Sequence, residues 1–220
     1  MLHQNTVTFL QQLAEHNNRP WFDANRAAYT EAKDDFEKVV GELLKGLEAT
    51  DSAYAGQKAK DCVFRIFRDV RFGKDKTPYK PNFGAAFSKG GKKSEVAGFY
   101  LHIEPGGKSF IGGGMWMPEA GILKKIRQEI DYNFADFLAI TENKKFKQLF
   151  PSIEGEKLKT PPQGYAADNP AIEYLKLKSF VATHNAITIK QLTSPGFVAQ
   201  CIHVFTTMQP FINFLNRAVD

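Results

Sequence analysis

Hydrophobic spacing divides the chain into helical, then strand-like, then helical stretches. Tyr29, Ala32, Phe36, Val39, Val40, Leu43 and Leu47 recur at intervals of three and four, the stripe of a long amphipathic helix. Arg19-Pro20-Trp21 predicts its start, with Pro20 suited to a first turn and Asp23 to the positive end of the helix dipole. Thr6 or Thr8 opens a shorter helix before it, through Phe9, Leu10 and Leu13. From residue 62 to 116 the period changes toward two and glycine becomes frequent, predicting strands at 62–68, 83–87, 97–104 and 110–116. Pro105-Gly106-Gly107-Lys108 reads as a hairpin turn. Pairing Glu104 with Ser109 there puts Phe99, Leu101 and Ile103 on a core face with Phe110 and Trp116, and Tyr100, His102 and Glu104 on the other beside Ile111 and Gly113.

Beyond Pro118, Ile122, Leu123, Ile126 and Ile130 predict a helix, and a second helical stretch from Asn133 to Phe150 breaks near Asn143. Asn169-Pro170 opens a short helix, Ser179 to Thr183 is strand-like, and Ser194-Pro195 precedes a final helix. Its inward set is Phe197, Cys201, Val204, Phe205, Met208, Ile212, Leu215 and Val219, with Pro210 inside it. The expected class is α+β: a central antiparallel sheet of about four strands within 62–116, flanked by N- and C-terminal helices. A single domain over 1–220 is expected, with a helical arm at 1–50, the sheet at 60–117 and a mostly helical remainder.

Charge is unevenly placed. Between Lys58 and Lys93 lie 11 basic side chains against Asp61, Asp69 and Asp75, whereas the rest of the chain holds 18 basic and 21 acidic ones. The whole basic excess therefore sits in one stretch, which favours a negatively charged partner. Within it, Phe64-Arg65-Ile66-Phe67-Arg68-Asp69-Val70-Arg71-Phe72 followed by Lys76-Thr77-Pro78-Tyr79-Lys80 interleaves cations with aromatic residues. Arginine forks at 65, 68 and 71 suit a phosphate or carboxylate, and Lys76 and Lys80 add point charges. Alternation drops Arg68 among Phe64, Ile66, Val70 and Phe72, which demands a carboxylate, a carbonyl or a bound anion as its partner unless a bulge near Asp69 turns it out. Asp69 between Arg68 and Arg71 is an anchor rather than a base.

Of five histidines, His102 is best placed for proton transfer, because Tyr100 and Glu104 share its strand face; a purely structural histidine is the competing reading. The histidines at 3, 16, 102, 184 and 203 show no metal-binding spacing, and no cofactor motif is present. Gly112-Gly113-Gly114 marks either room on the site face or a bend of the sheet. Cys62 and Cys201 form no Cys-x-x-Cys pair, no apolar run is long enough for a membrane span, and a cytoplasmic setting is expected.

Asn17-Asn18-Arg19-x-Trp21-Phe22-x-x-Asn25-Arg26-x-x-Tyr29, the 64–80 motif, Tyr100-Leu101-His102-Ile103, Gly113 to Pro118 and Leu123-x-x-Ile126-Arg127 together resemble a conserved hypothetical bacterial family, domain of unknown function 2461. Leu158-Lys159 through Gly164-Tyr165 to Pro170 extends the likeness, with Asn169 where the family pattern implies His. The resemblance implies no catalytic residue, but it groups Arg19, Trp21, Asn25 and Arg26 with the strand motif. The resulting expectation is one basic pocket, walled by Trp21, Tyr79 and Tyr100, that binds a small phosphate- or carboxylate-bearing ligand through Arg65, Arg68, Arg71, Lys76 and Lys80, with Arg19 and Arg26 alongside and His102 as proton carrier of any chemistry. The alternatives are a nucleic-acid-binding surface over 58–93 and a scaffold with an architectural Arg/Asp network.

Overall fold

The computed structural model describes residues 1–71, 75–92, 94–185 and 187–219. Its elements run α1 Gln4–Glu15, α2 Arg19–Ala24, α3 Arg26–Thr50, a 3-10 turn at Ser52–Tyr54, α4 Ala59–Cys62, β1 Phe83–Ser88, β2 Gly98–Ile103, β3 Phe110–Met115, α5 Ala120–Tyr132, α6 Phe134–Thr141, α7 Lys144–Leu149, α8 Ile172–Leu175, β4 Phe180–His184, α9 Ile189–Leu192 and α10 Phe197–Arg217. The four strands form one antiparallel sheet in the order β1-β2-β3-β4. Helices at both ends of the chain complete the expected α+β class.

Two compact units divide the chain: Met1–Lys92 with Tyr100–Ile111 and Asn185–Ile202, and Lys93–Phe99 with Gly112–His184 and His203–Asp220. In the first, the apolar stripe of α3 packs on α1, burying Phe36, Val40 and Leu43 with Phe9, Leu10 and Leu13. The α1 N-terminus has no cap from its own His3 side chain. Asp35 of α3 supplies it instead, accepting from the His3 amide at 2.8 Å and the Thr6 hydroxyl at 2.5 Å. In the second unit, Phe99 stacks on Phe205 at 4.6 Å, and Phe137 meets Phe211 and Phe214. Asn216 clasps the Ala97 backbone by two buried hydrogen bonds.

Four local readings change. The helix expected from Pro20 onward is broken at Asn25, which leaves the helical region at φ −109° and ψ 21°. Its side chain donates to the Trp21 carbonyl, competing with the helical ladder. Cys62 ends α4, and residues 63–68 make only two isolated bridges among the described residues, one to β1 and one to the stretch before it. Val63 opposes Ala85 and Phe67 opposes Tyr79, so three intervening residues face five, and Pro81 in that excess has no amide to donate. The fourth strand is 180–184.

The β2–β3 register also differs by one residue. Glu104 meets Ser109 through the serine hydroxyl, which donates to the Glu104 carbonyl and accepts from its amide. Phe110 consequently stacks on His102, Ile111 is buried, and Trp116 is 73% exposed. One step of register turns every side chain over, because strand side chains alternate with period two. Gly113 therefore faces the core, where an added Cβ would lie 2.5 Å from Met208 Sδ and 2.7 Å from the Gly98 carbonyl.

Candidate functional site

The strand-like segment that carries the cations is fixed by backbone pairing. The Phe64 amide donates to Gly84, Arg68 to Pro78, and Lys80 to Ile66. Asn17 pins the return stretch by donating to the Tyr79 carbonyl at 2.9 Å and accepting from its amide at 3.1 Å. Tyr79 is buried, its ring stacked on Phe22 at 4.0 Å and tilted against Phe67. The helical arm meets the strand motif, but the contacts fall outside the grouped Arg19, Trp21, Asn25 and Arg26. It does so through Asn17 and Phe22, whereas Trp21 lies between Phe9 and His16. Arg19 is exposed, and Arg26 pairs with Asp23 at 2.6 Å.

Around this clasp the basic residues separate into paired and unpaired groups. Arg71 grips Asp69 through two guanidinium nitrogens, at 3.0 and 2.8 Å. That grip, with the field of Arg65 added, holds the Asp69 carboxyl below its ordinary range. Lys76 donates to the Val70 carbonyl at 2.9 Å. Arg68 pairs with Asp75 at 2.9 Å, its side chain 31% exposed, while its Nε is shut off from solvent without an acceptor. Asp75 is lowered mainly by the Thr77 amide and hydroxyl that donate to it. Lys80 is half-buried, and burial followed by repulsion from Arg65 and Arg68 pushes its ammonium below the usual lysine range. Among the described residues, neither Arg65 nor Lys80 has an ion-pair partner. Phe72, Lys74 and Lys93, part of the basic stretch in the sequence, lie outside the described residues.

A second group lies on the outer face of β2, where Tyr100, His102 and Glu104 alternate with buried Leu101 and Ile103. His102 Nε2 meets Glu104 Oε2 at 2.9 Å. Its Nδ1 faces the Tyr100 hydroxyl at 3.4 Å and the Asn82 amide at 3.5 Å. Burial, then the charge of Glu104, raises the Tyr100 phenol above its ordinary value. Phe64 and Phe110 flank Tyr100, at 6.0 and 5.7 Å between ring centres. Lys92 lies over the Phe64 ring and donates to the Val63 carbonyl. The alternation of β2 made His102, Tyr100 and Glu104 legible; Asn82 and Gly84 were missed and Phe110 was assigned to the core face, because a strand pattern does not say what its neighbour places opposite.

None of these residues lines the cavity of about 270 Å³ in the second unit, which is walled by Phe146, Phe150, Tyr174 and Leu177 and rimmed by the Lys147–Glu142 and Lys157–Glu173 pairs. Asn169, the position where the family pattern implies His, donates to Asp131 at 2.6 Å and accepts from the Ala171 amide ahead of α8. Among the described residues, no three His, Cys, Asp or Glu side chains are grouped to hold a metal ion. Nor is any helix among them long and apolar enough to cross a membrane. No curated protein and no solved structure matches the chain. Residues 5–214 match the family described as conserved hypothetical protein (DUF2461), and the chain belongs to that family.

Proposed function

We propose that this member of the conserved hypothetical family binds a small phosphate- or carboxylate-bearing ligand through Arg65, Arg68 and Lys80. The supporting observation is Lys80, half-buried, without a carboxylate partner among the described residues and within the field of the Arg65 and Arg68 guanidinium groups, of which Arg68 is paired with Asp75. Like charges held together in a partly desolvated place repel strongly, and an anion between them removes that cost and adds charge-assisted hydrogen bonds. The orphaned Arg68 Nε supplies a donor already turned away from water. Arg71 and Lys76, engaged by Asp69 and the Val70 carbonyl, frame the loop. Two free, buried cysteines accord with a reducing, cytoplasmic setting.

One observation favours nucleic acid instead. Phe64 and Phe67, 39% and 44% exposed, flank Arg65 as bases stacking beside a phosphate backbone would require. The two readings separate by salt and saturation. A local site stabilises the folded protein by mass action, so phosphate, pyrophosphate or a nucleotide at about millimolar concentration raises the melting temperature. Arg65→Ala and Lys80→Ala abolish that rise and keep the circular dichroism spectrum of the parent. A nucleic-acid face touching six or so phosphates would instead lose several decades of affinity over a modest salt increase. Oligonucleotide binding with that slope, and no shift from any small anion, transfers the site to nucleic acid. Absence of both leaves the Arg68–Asp75 and Arg71–Asp69 pairs as architecture.

A further inference from the structure

We propose that Glu104, His102 and Tyr100 form a nucleophilic triad in which the Tyr100 hydroxyl attacks a carboxylic ester. This inference stands on different residues from the anion site. Its basis is a continuous line of contacts: Glu104 Oε2 to His102 Nε2 at 2.9 Å, and His102 Nδ1 to the Tyr100 hydroxyl at 3.4 Å. A nucleophile within reach of a base that a third group orients is the arrangement by which hydroxyls are activated, and such contacts are often longer without substrate.

The carboxylate fixes the direction of proton flow. Glu104 accepts from Nε2, so the proton of neutral His102 sits there and Nδ1 presents its lone pair to the phenol. Asn82 lies 3.5 Å from the same Nδ1, in keeping with that tautomer, and shares that nitrogen's one lone pair with the phenol until the Tyr100 proton is transferred. Glu104 is itself held in place by the Ser109 hydroxyl at its backbone and by Lys108 at 3.2 Å. It touches no substrate and is a positioning residue. The phenol is seated by β1: an added Cβ at Gly84 would come 2.3 Å from the Tyr100 oxygen, so only glycine leaves the hydroxyl where it is.

A raised phenol is consistent with this chemistry. The hydroxyl keeps its proton at rest and gives it up to His102 only as the new bond forms, as serine does in hydrolase triads. In the step, Tyr100 O bonds to the ester carbonyl carbon, the phenolic proton passes to His102 Nδ1, and the carbon–oxygen bond to the leaving alcohol or phenol breaks. The leaving oxygen takes that proton, and an acyl-tyrosine remains for water to cleave. Phe64 and Phe110 on either side of the phenol select an ester with apolar or aromatic parts.

p-Nitrophenyl acetate is the probe. With the full-length protein, nitrophenolate release and acetylation of Tyr100, located by peptide mass spectrometry, proceed together. His102→Gln slows both by about 100-fold or more, the usual scale of a lost general base. Glu104→Gln slows them less, and Tyr100→Phe keeps both ring contacts and the parental urea midpoint but abolishes the adduct. Acetylation of the exposed Tyr132 ahead of Tyr100, a Tyr100 rate unchanged in folded His102→Gln, or acetyl transfer to His102 in Tyr100→Phe each overturns the proposal.

Discussion

At the scale of single residues, neighbours fix what the sequence leaves open. Arg68 is drawn by alternation into an apolar row, yet its ion pair with Asp75 brings it partly out, and only its Nε stays enclosed. Gly84 is a plain strand glycine until Tyr100 lies across it, with the hydroxyl 2.3 Å and ring carbon Cζ 3.1 Å from where a Cβ would stand. Gly84→Ala is therefore expected to cost about 1–3 kcal/mol, the range for overpacking a filled site, read as a lower urea midpoint. In a Tyr100→Phe background the same substitution costs less, since the closest atom is gone. Equal costs in both backgrounds would mean that the phenol does not set the requirement at Gly84.

Among elements, the informative case is α1. A helix of 12 residues with no side-chain cap of its own begins where Asp35, on α3, receives the His3 amide and the Thr6 hydroxyl. The cap thus comes from 29 and 32 residues away and doubles as the tie between the two helices. Asp35→Ala strands two donors, one a buried hydroxyl, and should cost on the order of 2–4 kcal/mol. Amide exchange in residues 4–7 of α1 should speed up more than in the middle of α3. Uniform acceleration through both helices would show that the carboxylate serves general stability and not this terminus.

For the whole molecule, two buried acids with large upward shifts contribute to the pH dependence at the alkaline end. Burial pushes the Cys201 thiol from 9.0 up to about 12, and the Tyr54 phenol from 10.0 up to about 12. Both values are raised on folding, so above about pH 9 the unfolded chain releases protons that the folded chain retains. Stability is then complete below pH 9 and falls as pH rises toward 12, by up to about 1.4 kcal/mol per pH unit for each group within its window. Urea midpoints at about pH 8 and about pH 10.5 measure the loss. Cys201→Ala should flatten the part that begins near pH 9, and an unchanged slope would assign it to other groups.

The sequence by itself determined the α+β class, the stripes of α3 and α10, the breaks at Asn143 and Pro118, the hairpin after β2 and the outward alternation of Tyr100, His102 and Glu104. These follow from periods of 3.6 and 2 and from residues with restricted backbones, all of them local in the chain. The conversion of 62–68 from a strand to a helix end and a pair of bridges, the one-residue register of β3 and the placement of Asn17 and Phe22 against Tyr79 were decided by tertiary structure. Each depends on what a distant segment offers: a missing amide at Pro81, a serine hydroxyl at the turn, a flat ring at 4.0 Å. The candidate sites divide the same way. Composition put arginine, lysine and aromatic residues in one stretch, but only the fold chose which cations meet carboxylates, at Arg68 and Arg71, and which, at Arg65 and Lys80, have none among the described residues.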